Sequence, residues 1–270
     1  MMNRVKKYLY DQYPLLSVAS GYWSVARDMR KYGVGTTPFG FRFMGPKELQ
    51  EGRYEPAITE LIRICLKEST VFVDIGANMG YYTCLARHTG VKVLAVEPLL
   101  YNLEYLYLNL ETNGYLDVEV FPCGLAAGPG LAPLYGPGTA ASLIRDWAGT
   151  STKKRIIPLS TLDIIMGDRF AGEKLLIKVD VEGAEYELLK GAGKTLAAFP
   201  DATWAVEIGL AGNHPEGLNP NFLGTFETFW AHGLKACTID DDRRVVSRAD
   251  VERWIDTRSG GGNFLFTREL

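Results

Sequence analysis

Three short stretches of this chain hold residues whose types and spacing can do chemistry. The first is Asp74-Ile75-Gly76-Ala77-Asn78-Met79-Gly80-Tyr81-Tyr82-Thr83. Gly76 permits a sharp turn, and Gly80 permits close approach of the backbone to a ligand before a helix begins. Free N–H groups and a positive helix end at such a turn suit a carboxylate or a phosphate, and Asp74 adds a fixed acceptor for an ammonium group. The second stretch is Glu97-Pro98, with a carboxylate suited to both ribose hydroxyls of a nucleoside cofactor. The third is Lys178-Val179-Asp180, followed by Glu182 and Glu185. Lys178 and Asp180 alternate along a strand and share one face, and Asp180 falls at the carboxyl end of an apolar run, where a carboxylate needs a partner or a task.

The glycine spacing narrows the ligand. A dinucleotide fingerprint places glycines first, third and sixth, which Gly76 with Gly80 does not supply. An acidic strand end beside a looser turn fits an amino-acid-bearing nucleoside better than a pyrophosphate. The candidate cofactor contacts are Asp74, Gly76, Ala77, Asn78, Gly80, Tyr81, Thr83, Glu97, Pro98, Asn102, Gly124 and Asp180. For catalysis, Asp180 can take a proton directly, with Lys178 as its ion-pair partner. Alternatively Asp180 and Glu207, ending adjacent strands, hold a magnesium ion that acidifies an acceptor oxygen. Glu182 is a further acidic candidate, and it and Glu185 are expected in the first turn of a helix, where they also complement the dipole. His214, beside Pro215, is a spare base.

These residues require a scaffold of alternating strands and helices. Pro56 opens a helix whose apolar face is Ile58, Leu61, Ile62, Cys65 and Leu66. Strands are expected at Val71–Ile75, Lys92–Val96, Val118–Pro122, Leu175–Val179, Trp204–Ile208, Lys235–Ile239 and Asn263–Thr267. Helices are expected at Tyr81–His88, from Leu99 to the Asn113-Gly114 stop, at Ala184–Leu196, over Phe222–Trp230, and near Ala249–Ile255. Ser160-Thr161-Leu162-Asp163 matches a capping box. Between Ala126 and Pro158 the rhythm breaks, and Leu131–Tyr135 with Arg155–Leu159 reads as a hairpin-like insertion with a mobile centre at Gly149–Lys154. The alternation describes a doubly wound α/β sheet. Gly33 to Gly52 reads as irregular or short-stranded.

Composition sets the outer limits. The net charge of −3 gives no electrostatic reason to expect nucleic acid, and Lys153-Lys154-Arg155 is too short a basic run to reverse that. Cys65, Cys84, Cys123 and Cys237 show no two-residue spacing and read as reduced thiols of a cytoplasmic protein. Near the N-terminus, Lys6 and Lys7 precede Leu15, Leu16, Val18 and Ala19, but Pro14, Ser17 and Arg27 break the run. It is too short to span a bilayer and reads as an amphipathic helix packed on the body.

The stretch Phe72 to Thr83 resembles the cofactor motif of the FkbM family of methyltransferases. Val96-Glu97-Pro98, Tyr54-Glu55-Pro56, Ser160-Thr161-Leu162-Asp163 and above all Leu176 to Glu185 are similar to that family too. The resemblance covers about Tyr54 to Leu210. It implies S-adenosylmethionine as donor and transfer of its methyl group, usually to oxygen, on sugars, polyketide-like natural products and similar hydroxylated small molecules. It implies a mostly parallel, seven-stranded, Rossmann-like class I methyltransferase sheet over 54–270, with an insertion at 126–158 and an N-terminal helical or irregular extension over 1–53. Two readings from other classes compete. A nicotinamide-dependent oxidoreductase lacks its glycine spacing and a tyrosine-lysine or histidine pair. A cofactor-binding module without catalysis sits poorly with Asp74, Glu97, Lys178 and Asp180 all being present. Whether the chain is a monomer or a homodimer is left open by the sequence.

Overall fold

Unbroken apolar runs become the inner strands of one sheet. The computed structural model describes residues 32–136, 140–147, 149, 154–239 and 243–269. The amphipathic helix expected before Arg27, and residues 150–153 of the expected mobile centre, lie outside the described residues. The chain enters as a short hairpin, β1 (Val34–Thr36) and β2 (Arg42–Met44), then α1 (Lys47–Gln50) and α2 (Pro56–Leu66), with Pro56 in the first turn. β3 (Val71–Ile75), α3 (Tyr81–His88), β4 (Lys92–Val96), α4 (Leu100–Asn113) and β5 (Glu119–Phe121) follow, and Gly114 ends α4 in the left-handed conformation.

The insertion is a separate three-stranded sheet. β6 (Gly124–Leu125) lies parallel to β8 (Lys154–Ser160), and β7 (Gly130–Tyr135) pairs antiparallel with β8. After it come α5 (Leu162–Met166), β9 (Leu175–Val179), α6 (Glu185–Lys190), α7 (Gly193–Ala198), β10 (Thr203–Ile208), α8 (Phe222–Ala231), β11 (Lys235–Thr238), β12 (Val245–Val246), α9 (Arg248–Thr257) and β13 (Gly262–Thr267).

The main sheet has the order β12-β11-β13-β10-β9-β3-β4-β5. The run from β10 to β5 is parallel, and β13 reverses between β10 and β11. The Rossmann-like, mostly parallel sheet is therefore present, with eight strands where seven are expected. The extra one is the two-residue β12 at the edge, paired through Ala236 and Cys237. Side chains alternate between two buried layers. Val73, Ile75, Ile177, Val179 and Trp204 face α6 to α8, while Phe72, Val93, Ala95 and Leu176 face α2 to α4. Burial on both faces is what a continuous apolar strand encodes.

Two local expectations are corrected. The cap of α5 is Thr161, whose Oγ1 accepts from Ile164 N at 3.0 Å, and Asp163 does not close a box with Ser160. Asp163 instead accepts from Lys194 N, Thr195 N and Thr195 Oγ1 at 2.8–3.0 Å. Those bonds start α7, which splits the single helix expected over Ala184–Leu196 into two. A capping box does occur, at Ser247 and Asp250, opening α9. Among the described residues, no helix is long and apolar enough to cross a membrane.

Candidate functional site

Strand order reverses between β3 and β9, since β4 and β5 lie on one side and β10 on the other. A ligand crevice is expected beyond the carboxyl ends of the strands at such a point. There the structure has a cleft of about 970 Å³, partly open to solvent, bounded by Tyr54, Gly76, Glu97, Leu125, Asp180 and Glu207. Its floor depends on Gly76, at φ +82°, where a Cβ would lie 1.8 Å from Asp180 O. No side chain fits there. Three non-glycine residues on the cleft, Glu55, Asn78 and Glu182, have φ of 38°, 51° and 53°. Left-handed backbone of this kind gathers at functional sites.

One wall holds Glu97, 5% exposed. Its Oε2 accepts from Asn78 N at 2.9 Å, and its Oε1 accepts from Leu99 N at 2.8 Å and Asn102 Nδ2 at 3.2 Å. Burial raises its carboxyl to about 7, and those three donors oppose the rise. A carboxylate has about four acceptor positions, so the protein fills three and one remains. Asn78 and Asn102 line the same wall, and their Oδ1 atoms are buried without a hydrogen-bond partner in the protein. This set of waiting acceptors fits a nucleoside with several hydroxyl and amino donors. It differs from the expected arrangement in which Glu97 alone takes both ribose hydroxyls.

The opposite wall holds Glu55, Asp180, Glu182 and Glu207. Lys178, 4% exposed, donates to Asp180 Oδ2 at 3.0 Å, and its Nζ stands 5.0 Å from the centre of the Tyr82 ring. Burial works against the Lys178 charge, but Asp180 and Asp74 outweigh it and hold the ammonium above its ordinary range. Glu55 accepts from Tyr82 Oη at 3.0 Å, and burial raises its carboxyl. Glu182 accepts from Trp147 Nε1 at 2.7 Å, and its carbonyl accepts from Ser142 Oγ at 2.6 Å. Glu207 is raised to about 8 by burial and by the nearby Asp180, Glu182 and Glu55 charges. The wall thus sets a carboxyl that holds its proton more firmly than an ordinary glutamate beside an ion-paired carboxylate, the kind of separation that acid–base chemistry uses.

The sequence-derived residues divide between this cleft and its support. Gly76, Asn78, Glu97, Pro98, Asn102, Gly124, Asp180, Glu182 and Glu207 line it. Asp74 does not: it is 1% exposed, and its Oδ2 accepts from Thr83 Oγ1 at 2.6 Å at the start of α3. Thr83 is thereby a partner of Asp74 and not a cleft residue. Gly80 and Ala77 build the turn from behind, and Tyr81 turns into an aromatic cluster. The free N–H groups expected at the turn are taken, since Gly76 N and Ala77 N both donate to Val96 O, at 2.9 and 3.0 Å. Glu182 precedes α6 and does not belong to its first turn; Glu185 opens that helix and accepts from Gly183 N at 2.8 Å. His214 lies behind Trp147, ring centres 6.1 Å apart, and does not line the cleft.

Asp180 and Glu207 share the cleft, but Lys178 already occupies Asp180 Oδ2. Among the described residues, no group of three or more His, Cys, Asp or Glu gathers to hold a metal. The donor set does not fit the expected magnesium ion. Residues that sequence reasoning missed are Trp147 and Ser142, which fix Glu182 from the insertion, and Cys123, Leu125 and Ala184 on the cleft. Tyr54 and Glu55 carried a signal, the Glu-Pro step before α2.

Residues 74–233 match the family model for the methyltransferase FkbM domain. A curated relative, methyltransferase sdnD of Sordaria araneosa, is 28% identical over 159 residues, covering 47% of this chain and 61% of that protein. The chain therefore spans less than two thirds of that relative's length. Among solved structures, precorrin-6y C5,15-methyltransferase from Geobacter metallireducens gives a TM-score of 0.41 at 10% identity, covering 77% of this chain and 88% of that one. The bifunctional kinase-methyltransferase WbdD gives 0.46 at 10% identity, covering 90% of this chain and 46% of that one.

Proposed function

The chain belongs to the FkbM family of methyltransferases, and from that premise we propose that it methylates a hydroxyl oxygen of a small acceptor bound against Asp180. When bound, S-adenosylmethionine supplies an activated methyl group on a sulfonium. The residues suited to hold that donor are Asn78, Glu97, Pro98, Asn102 and Gly124, on the wall where acceptor atoms stand without partners. On the opposite wall the task is to make an alcohol nucleophilic. Asp180 receives the acceptor proton, and Lys178 at 3.0 Å from its Oδ2 fixes its position. A general base of this kind contributes roughly 10²–10⁴ in rate. Glu207, its carboxyl raised by burial and by the neighbouring carboxylates, resists adding a second negative charge beside the base.

The observation that carries the reading is the Lys178–Asp180 pair at the end of β9, its lysine buried and its partly exposed carboxylate opening onto the same cleft as Glu97. The test is transfer of labelled methyl to a metabolite extract, read by mass spectrometry, with Asp180→Asn beside the native chain. Asp180→Asn is expected to lower kcat by about 10²–10⁴ and to leave S-adenosylhomocysteine affinity unchanged. An unchanged kcat removes the base role. Tight NAD binding with no response to S-adenosylhomocysteine overturns the methyltransferase assignment to this cofactor.

A further inference from the structure

Behind the Gly76–Asn78 turn lies a second chamber, enclosing about 670 Å³, part of it open to solvent. Tyr54, Gly76, Asn78 and Asp180 line both it and the main cleft. Its walls are largely apolar or aromatic: Phe43, Leu49, Met79, Tyr81 and Tyr82. Tyr81 stands at the centre of edge-on contacts to Phe43, Tyr54 and Tyr82, with ring centres 5.3–5.8 Å apart. The wall is held in place from α4. Asn109 Oδ1 accepts from Met44 N at 2.7 Å, and its Nδ2 donates to Met79 O at 2.9 Å, tying the hairpin to the turn.

The polar groups of this chamber are few and unevenly used. Tyr82 Oη is committed to Glu55 and Thr59. Tyr81 is 4% exposed, and its Oη has no partner. An unpartnered buried hydroxyl is costly, and a ligand bearing one polar atom at that place relieves it. At the boundary with the cleft stand the paired Lys178 and Asp180, and among the described residues Glu48 is the further charged group lining the chamber. A sugar ring carries hydroxyls around its whole edge, most of which would be buried here without partners. A flat ring with one hydroxyl buries its faces against the aromatic side chains and needs one polar contact at each end.

We infer that this chamber receives the acceptor, and that the acceptor is a planar aromatic or enolic ring whose hydroxyl reaches the Lys178–Asp180 pair. The inference rests on the methyl-transfer reading for its chemistry, and on the chamber alone for its ligand class. Lys178 gains a second use in this arrangement, as a fixed positive charge beside an oxygen that becomes negative as its proton leaves.

The probe is 4-fluorophenol, followed by fluorine NMR on the full chain with and without S-adenosylhomocysteine, whose own affinity is measured by calorimetry. Fluorophenol is expected to bind both forms without displacing S-adenosylhomocysteine. Met79→Trp, which fills the chamber, is expected to abolish fluorophenol binding, with its melting temperature checked against the native chain. The milder Tyr81→Phe is expected to weaken fluorophenol binding by about fivefold or more, with S-adenosylhomocysteine affinity unchanged. Fluorophenol that competes with S-adenosylhomocysteine, or that ignores both variants, overturns the chamber assignment. So does methyl transfer to methyl glucopyranoside with none to phenols. Failure of S-adenosylhomocysteine to bind the native chain overturns the methyl-transfer reading instead, and fluorophenol binding that is lost in Met79→Trp then still supports the ring site.

Discussion

The two walls of the cleft hold acidic groups by opposite means. Glu97 is buried among fixed donors: two backbone N–H groups and the Asn102 amide hold its carboxylate before any ligand arrives. Across the cleft, Glu55, Asp180 with Glu182, and Glu207 come from three separate segments, with the buried ammonium of Lys178 paired to Asp180. The first wall is organised by local backbone geometry, the second by charge balance between distant parts of the chain. A wall of the first kind suits a ligand that is always the same. A wall of the second kind can change its acceptor by changing a few side chains while the donor site stays as it is.

The comparison is broken most directly at Lys178. Lys178→Met keeps the stem and removes the charge, leaving Asp180 and the 1%-exposed Asp74 without their cation. Removing one partner of a buried pair costs about 3–5 kcal/mol, to be read from urea denaturation of the cofactor-free protein. Adding Asp180→Asn should recover part of the loss, as coupled neighbours do. A loss below about 1 kcal/mol, the level of a surface ion pair, would mean that the second wall does not depend on this charge.

A smaller effect is expected on the first wall. Glu97→Ala strands Asn78 N, Leu99 N and Asn102 Nδ2 and removes the remaining acceptor position. S-adenosylhomocysteine affinity should fall by about tenfold or more, measured by calorimetry, while Glu55→Gln across the cleft should leave it nearly unchanged. Equal losses from the two variants would erase the distinction between the walls.

The residues of both walls were largely legible in the sequence, and the partners that hold them were not, for one physical reason. Parallel inner strands are continuous apolar runs with polar ends, so Val71–Ile75, Lys92–Val96 and Leu175–Val179 could be bounded, and with them Glu97 and Asp180. What failed was whatever depended on a partner far along the chain. The turn at Gly76 reads as a row of free donors until Val96 O takes two of them. Asp163 reads as the end of its own cap until it proves to start α7, some thirty residues on. Trp147 carries no local pattern that announces its bond to Glu182. Asp74 reads as a ligand contact because its position does not reveal that Thr83 and the buried face of the sheet hold it.

The finest test concerns how protons distribute over the second wall. Glu207 rises from 4.5 to about 8 through burial and the charges of Asp180, Glu182 and Glu55. Between those two values the folded protein keeps a proton that the unfolded chain has released, so the folded state binds more protons and stability falls as pH rises through the window. Below the window both states are protonated, and above it both are charged, so the slope vanishes on either side. Glu97 and Glu185, raised to about 7 and about 8, tilt stability the same way, and the contribution of Glu207 is therefore read only as a difference. Glu207→Gln is neutral at every pH. Its melting temperature relative to the native chain should stay level below the window and climb across it, by about 2–4 °C for each kcal/mol recovered. A difference that stays constant from pH 5 to 8 would mean that Glu207 is not held protonated by its neighbours, and that the second wall carries its charges independently, as the first wall does.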